Sequence, residues 1–266
     1  MTLLTKRMVE KPWGKDVLPA PFVAPEGQRI GEVWFEPTPE MPSILVKYIF
    51  TSEKLSVQVH PSDAQAAALG ETDGGKEECW LVIDAEPGAM LGIGFKKPID
   101  AAGMRKAALD GSIEGLLDWY PAKRGDFFYI PAGTVHAIDA GVSLIEIQQN
   151  SDITYRMFDY GRPRPLHLDK AIAVAKGDDL PAECRSHFAG HGTHQLVNGP
   201  LLVVSIFEGR APQDRFTPGP CLVLPMNCAV LVDNVELAVG ECGFASSSEQ
   251  VIAEESAQWM AISPAS

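Results

Sequence analysis

Short apolar runs, broken at close intervals by glycine and proline, most constrain what this chain can fold into. SILVKYIF (43–50), LSVQVHP (55–61), ECWLVID (78–84) and SLIEIQQ (143–149) read as strands. AMLGIGF (89–95) is a weaker one. The 21 prolines and 24 glycines punctuate such runs from end to end. That pattern predicts an all-β architecture of short strands and turns.

The 266 residues suit one large domain or two smaller ones, with ample core for either. Apolar residues make up 45% and charged residues 21%, so the chain reads as soluble and globular. The net charge of −13 argues against nucleic acid as a partner, because phosphate backbones demand a basic surface. An anionic small molecule would need a local cationic pocket. No run of eighteen apolar residues exists, so no membrane span is expected. MTLLTKRMVEKPWG lacks an apolar signal region and reads as the start of a cytoplasmic protein. Five scattered cysteines, an odd number without a CxxC pair, fit a reducing compartment. Nothing in the sequence points to a protein partner.

Along the chain, residues 1–40 read as an irregular wrap with short strands. SDAQAAAL (62–69) reads as a short helix capped by Ser62 or Asp63. A helical excursion is expected over about 100–119, with Asp100 as N-cap, Gly111 as its stop and Met104, Ala107 and Ala108 on the apolar face. SIEGLLDW reads as a second short helix within it. RGDFFYIPAGTVHAI (124–138) reads as strand, turn and strand. Residues 150–172 form a polar, arginine-rich exit, and 175–195 read as a linker or connecting strands. LLVVSIFEG, CLVLPM, CAVLVD and VIAEES then describe a second β unit. Within it, VGECGFASSS (239–248) faintly echoes RGDFFYIPAG (124–133), as two related barrels in tandem would. The expected organisation is a metal-binding unit over 1–172 and a smaller β unit over 173–266 that lacks metal ligands.

The alternation in LSVQVHP sends Val57 and Val59 one way and Ser56, Gln58 and His60 the other. An amide and an imidazole on one strand face could supply half of a metal site, although an isolated strand histidine is more often simply hydrogen-bonded. Glu78, at the head of one strand, and His136, after the Pro-Ala-Gly turn, could complete it. Gln58, His60, Glu78 and His136 then offer two imidazoles, a carboxylate and an amide oxygen, a set that suits Zn²⁺, with Fe²⁺ or Mn²⁺ possible. HFAGHGTH gathers His187, His191 and His194 in a glycine-rich stretch and reads as a solvated loop. Trp13, Trp34 and Trp80 read as packing residues. Arg162 and Arg164 are phosphate candidates on charge alone.

The motifs KPWG (11–14), IGEVW (30–34), VQVHP (57–61), GKEECW (75–80), YIPAGTVHA (129–137) and QNSDITYRMFDYGR (149–162) occur in this order. Over roughly residues 10–172 they resemble the type I mannose-6-phosphate isomerase family in its short bacterial form. The resemblance implies a cupin (double-stranded β-helix, or jelly-roll) barrel with a short helical insertion, followed by a smaller, degenerate cupin-like domain. It implies Gln58, His60, Glu78 and His136 as ligands of one metal ion per chain, with Glu78 rather than Glu77 on the ion and water as an alternative to Gln58. It places Arg156 and Lys76 in the active site. Ile138 departs from a tyrosine found in longer members.

The implied reaction interconverts mannose 6-phosphate and fructose 6-phosphate through a cis-enediol. Beside a divalent cation and Arg156, the Lys76 amine is expected below its ordinary pKa. Two rivals stand beside this reading, an Fe²⁺ cupin oxygenase and a non-catalytic, metal-containing sugar-binding cupin. Oxygenase cupins typically carry His-x-His where this chain has Gln58-x-His60.

Overall fold

The computed structural model describes residues 1–212 and 219–265. The chain is mostly β. A seven-stranded sheet runs, in spatial order, through Arg185–His187, Asp126–Ile130, Glu78–Ala85, Val142–Gln149, Ile44–Phe50, Ile30–Phe35 and Lys6–Lys15. A five-stranded sheet runs through Tyr155–Phe158, Val57–Val59, His136–Ile138, Met90–Phe95 and Leu117–Pro121. Every pairing in both sheets is antiparallel. The layout is the cupin jelly roll that the resemblance implies.

Both faces of the larger sheet are covered, so its central strands lose the usual alternation. All seven residues of Ile44–Phe50 are buried. One face packs Trp80, Val82, Leu144 and Ile49 against Leu91, Ile93 and Ile138 of the smaller sheet. The other presents Phe35, Tyr48, Phe50, Leu81 and Ile145 to Leu202, Val204, Leu222, Leu224, Met260 and Ile262. Those residues belong to a six-stranded sheet that includes Cys221–Pro225, Leu202–Glu208 and Gln258–Pro264. Burying such side chains contributes roughly 1.5–3 kcal/mol each relative to exposure, before entropy is counted. The two β units also trade edges: Thr2–Leu3 pairs with Gly243–Ala245, and Arg185–His187 pairs with Asp126–Ile130.

Helices cover the outer face of the smaller sheet. Ala101–Asp110 starts on Asp100, whose carboxylate accepts the Gly103 amide, and stops at left-handed Gly111. It buries Met104, Ala107 and Ala108 with Val57, Val59 and Met157. Asp63–Ala68 is capped by Ser62 in a reciprocal capping box with Gln65.

Three expectations need correction. Residues 1–40 hold a ten-residue strand, Lys6–Lys15, and Ile30–Phe35 rather than a loose wrap. The second helix ends at Leu116, because Leu117–Pro121 extends to pair with Met90–Phe95. The polar exit segment, for which no element was assigned, carries two: Tyr155–Phe158 pairs with Val57–Val59, and Leu168–Val174 is helical. In the last two cases sheet pairing overrides local preference.

Candidate metal centre

Strand register assembles the site. His136 and Arg156 both lie opposite Gln58, from strands on either side of it. Cross-strand partners present side chains to the same face, so all three share one surface of the smaller sheet. Glu78 arrives from the facing sheet, at the end of a glycine-rich approach. At Gly75 a Cβ would lie 2.4 Å from the Asp63 nitrogen, so only glycine lets the chain pass the helix start and deliver Lys76 and Glu78.

Among the described residues, His60, Glu78 and His136 form the one group that could hold a metal ion, with candidate ligand atoms all within 4.8 Å of one another. Their exposures are 2%, 0% and 1%. Each imidazole has its Nδ1 against a backbone oxygen: His60 at 2.6 Å from Ile153 O, and His136 at 3.0 Å from Thr134 O. This leaves both Nε2 atoms toward Glu78, at 3.6 Å from Oε2 and 3.4 Å from Oε1. Glu78 Oε1 is buried without a hydrogen-bond partner. A buried, donorless carboxylate oxygen beside two imidazole nitrogens fits a divalent cation.

Burial, reinforced by the Lys76 ammonium, holds both imidazoles neutral, with His60 pushed well below its ordinary pKa and His136 down to about 4. Neutral imidazole is the ligand form. Burial, with Glu146 close by, pushes the Glu78 carboxyl up.

Gln58 joins the cluster with its nitrogen inward. Its Nε2 lies 3.3 Å from His136 Nε2, while its Oε1 accepts from Ser56 Oγ at 3.0 Å. Direct ligation would require the amide to turn over. Glu77 points away from Glu78 and accepts from the Tyr129 hydroxyl on the opposite face.

Lys76 is 4% exposed and donates to Glu78. Its Nζ also sits 3.2 Å from His60 Nε2 and 3.6 Å from Glu146 Oε1. Burial favours the neutral amine, but the Glu146 and Glu78 carboxylates outweigh it and hold the ammonium, pushing the pKa up. The expected downward shift rests on a divalent cation beside Lys76, and Glu146 is an opposing charge which that expectation leaves out.

Glu146 is the main residue that the sequence did not single out. One register row crosses the large sheet through Phe128, Trp80, Glu146, Lys47, Trp34 and Arg7. Glu146 takes Lys47 at 3.4 Å and the Trp80 indole at 3.1 Å. Burial raises its pKa, but Lys76 and Lys47 outweigh that and push it down. Lys47 and Arg7 lie over the Trp34 ring at 4.2 and 4.4 Å. Trp80 is buried, with its ring edge against His136. The signal for Glu146 was available: Glu146 and Gln148 are polar residues two apart on one strand, as Gln58 and His60 are.

Arg156 is partly buried, and burial, then Arg164, lowers its pKa. Its Nε has no hydrogen-bond partner among the described residues. The other two arginines are occupied. Arg164 donates two hydrogen bonds of 2.6 Å to Asp159, and Arg162 binds Asp159 at 3.1 Å and Glu53 at 3.2 Å. His187 and His194 stand on short strands, Arg185–His187 and His194–Asn198, and His187, His191 and His194 are exposed.

No protein-family profile matches the chain. A probable mannose-6-phosphate isomerase of Bacillus subtilis, GmuF, is 38% identical over 169 residues, covering 56% of this chain and 51% of that protein. A mannose-6-phosphate isomerase of Streptococcus mutans is 42% identical over 137 residues, covering 49% of this chain and 43% of its own length. The chain thus spans about half the length of these curated relatives. In structure, the mannose 6-phosphate isomerase of Bacillus subtilis superposes with a TM-score of 0.81 at 26% identity, over 98% of this chain and 99% of that one. A zinc-bound mannose 6-phosphate isomerase shares the fold with a TM-score of 0.71 at 14% identity, over 100% of this chain and 99% of that one. By sequence over about half its length, and by fold over nearly all of it, the chain is similar to mannose-6-phosphate isomerases.

Proposed function

We propose that the chain is a metal-dependent aldose–ketose isomerase that interconverts mannose 6-phosphate and fructose 6-phosphate. Residues 1–172 would be its catalytic unit, and 173–266 a β unit without metal ligands. The observation that carries this reading is the closed set His60, Glu78 and His136, with two Nε2 atoms and a partnerless carboxylate oxygen turned toward one another. The donors suit one Zn²⁺ per chain, and the same donors accept Fe²⁺ or Mn²⁺; a mannose 6-phosphate isomerase of the same fold is zinc-bound. When bound, the ion supplies Lewis-acid polarisation of the sugar oxygens.

The chain's own residues supply the rest. Isomerisation moves a proton between C2 and C1, and negative charge grows on a sugar oxygen. Arg156, with an unpaired Nε, and Lys76, held as an ammonium, put fixed positive charge beside that oxygen. Arg156 is also the arginine of its segment free to meet a phosphate, because Asp159 engages Arg162 and Arg164. The buried Glu146–Lys47 pair anchors Lys76 from behind.

Among the described residues no helix is long and apolar enough to cross a membrane. Five free cysteines suit a reducing compartment, and we place the chain in the cytoplasm. A substrate panel tests the function. Turnover of mannose 6-phosphate, with little for glucose 6-phosphate and none for unphosphorylated mannose, is expected. Equal turnover of free mannose, or none of any hexose phosphate, would overturn it.

A further inference from the structure

The polar side chain nearest Glu78 along its strand partner is Gln148, and nothing above gives it a role. It lies directly across the strand pair from Glu78 and is fully buried. Its two N–H groups are both used, on Gln149 O at 2.7 Å and Ser151 O at 2.6 Å. Turning the amide over would set its oxygen against two carbonyl oxygens, so the orientation is fixed. Its Oε1 then has no donor. A buried acceptor left alone is costly, and a position that needed only packing would be better served by methionine or leucine. The two donors must therefore matter more than the stranded oxygen.

What they hold is the turn from 149 to 153. The Ser151 amide donates to Gln149 O at 2.7 Å, and the Ile153 amide donates to Ser151 Oγ at 3.4 Å. Ile153 O, at the end of this turn, takes the His60 Nδ1 proton at 2.6 Å. That hydrogen bond decides which His60 nitrogen is free as a ligand.

We propose that Gln148 is a positioning residue of the metal centre. It fixes the 149–153 turn so that Ile153 presents its carbonyl to His60. The inference rests on the metal reading above. Its Nε2 hydrogen bonds go to the turn and its Oε1 has no hydrogen-bond partner among the described residues, so it acts through His60.

The test measures Zn²⁺ affinity by competition with a chromophoric chelator, on full-length wild type, Gln148→Met and Ser151→Ala. Gln148→Met keeps the volume and removes both donors. Its affinity should fall by about 10–100-fold, the usual effect of losing a ligand's supporting partner. Ser151→Ala should fall several-fold, with a far-UV spectrum and metal-free thermal midpoint close to wild type. A purely structural role would lower the midpoint and leave affinity per folded molecule unchanged. Wild-type affinity in a folded Gln148→Met overturns the proposal. If that variant does not fold, wild-type affinity in Ser151→Ala does so instead. A wild type that binds no Zn²⁺ overturns the metal reading itself.

Discussion

Two groups of histidines share a residue type and little else. His187, His191 and His194 fall within eight residues and are exposed. His187 pairs with Asp126 at 2.8 Å, and His194 Nε2 rests 3.0 Å from His191 O. His60 and His136 come from strands far apart in sequence, yet their rings lie 4.9 Å apart with Glu78 between their nitrogens. Closeness along the chain made the first group look like a ligand cluster. Strand register, burial and a backbone acceptor on each Nδ1 make the second group a candidate one.

The contrast is easiest to break at its strongest point. His136→Ala should abolish both Zn²⁺ binding and isomerase activity, because two remaining ligands cannot close the site. Metal content per chain, read by elemental analysis beside the assay, checks this. Arg156→Ala should keep the metal and lose about 100-fold in turnover, the scale seen when a charge-stabilising donor is removed. Unchanged turnover would take Arg156 out of the chemistry.

Acid should separate the buried group next. The folded His136 has its pKa lowered from 6.5 to about 4, so it stays neutral where the unfolded chain takes up a proton. Its contribution is fully present above pH 6.5 and is lost as pH falls toward 4. A depression of this size corresponds to something on the order of 3 kcal/mol at 1.36 kcal/mol per unit. Metal-free urea titrations of wild type and His136→Ala at pH 7 and pH 4.5 would separate it from the opposing Glu78 carboxyl, which burial pushes up, and an equal pH effect in both proteins would contradict it.

Lys76→Met should sharpen the comparison further. The ammonium and a divalent ion compete for Glu78, so Zn²⁺ affinity should rise several-fold while turnover falls. Weaker Zn²⁺ binding in a folded variant would show that Lys76 supports the ion instead. Replacing His187, His191 and His194 together by alanine should change metal content not at all and stability only slightly. Exposed substitutions usually stay within about 0.5 kcal/mol each.

Much of this was legible in the sequence, for local reasons. The alternation around His60, the Asp100 cap and Gly111 stop, and the strand–turn–strand around His136 all depend on near neighbours. Glu146 and Lys47 were not singled out, because each sits in a run apolar enough to pass as a plain buried strand, and the two-residue spacing of Glu146 and Gln148 is a weak signal by itself. The sheet is covered on both faces, so the alternation that would have flagged them is muted. Lys76 shows the consequence: its sequence neighbours do not reveal Glu146, a carboxylate from another strand that favours its ammonium. The Tyr155–Phe158 strand was hidden in the same way, since its pairing partner lies about a hundred residues earlier.

The most direct measurement is a coupled assay of mannose 6-phosphate conversion to fructose 6-phosphate, before chelation, after it, and after Zn²⁺ is added back. Turnover that vanishes with the chelator and returns with zinc is the predicted result. Full turnover after exhaustive chelation, or none in a protein carrying one zinc per chain, would contradict the account.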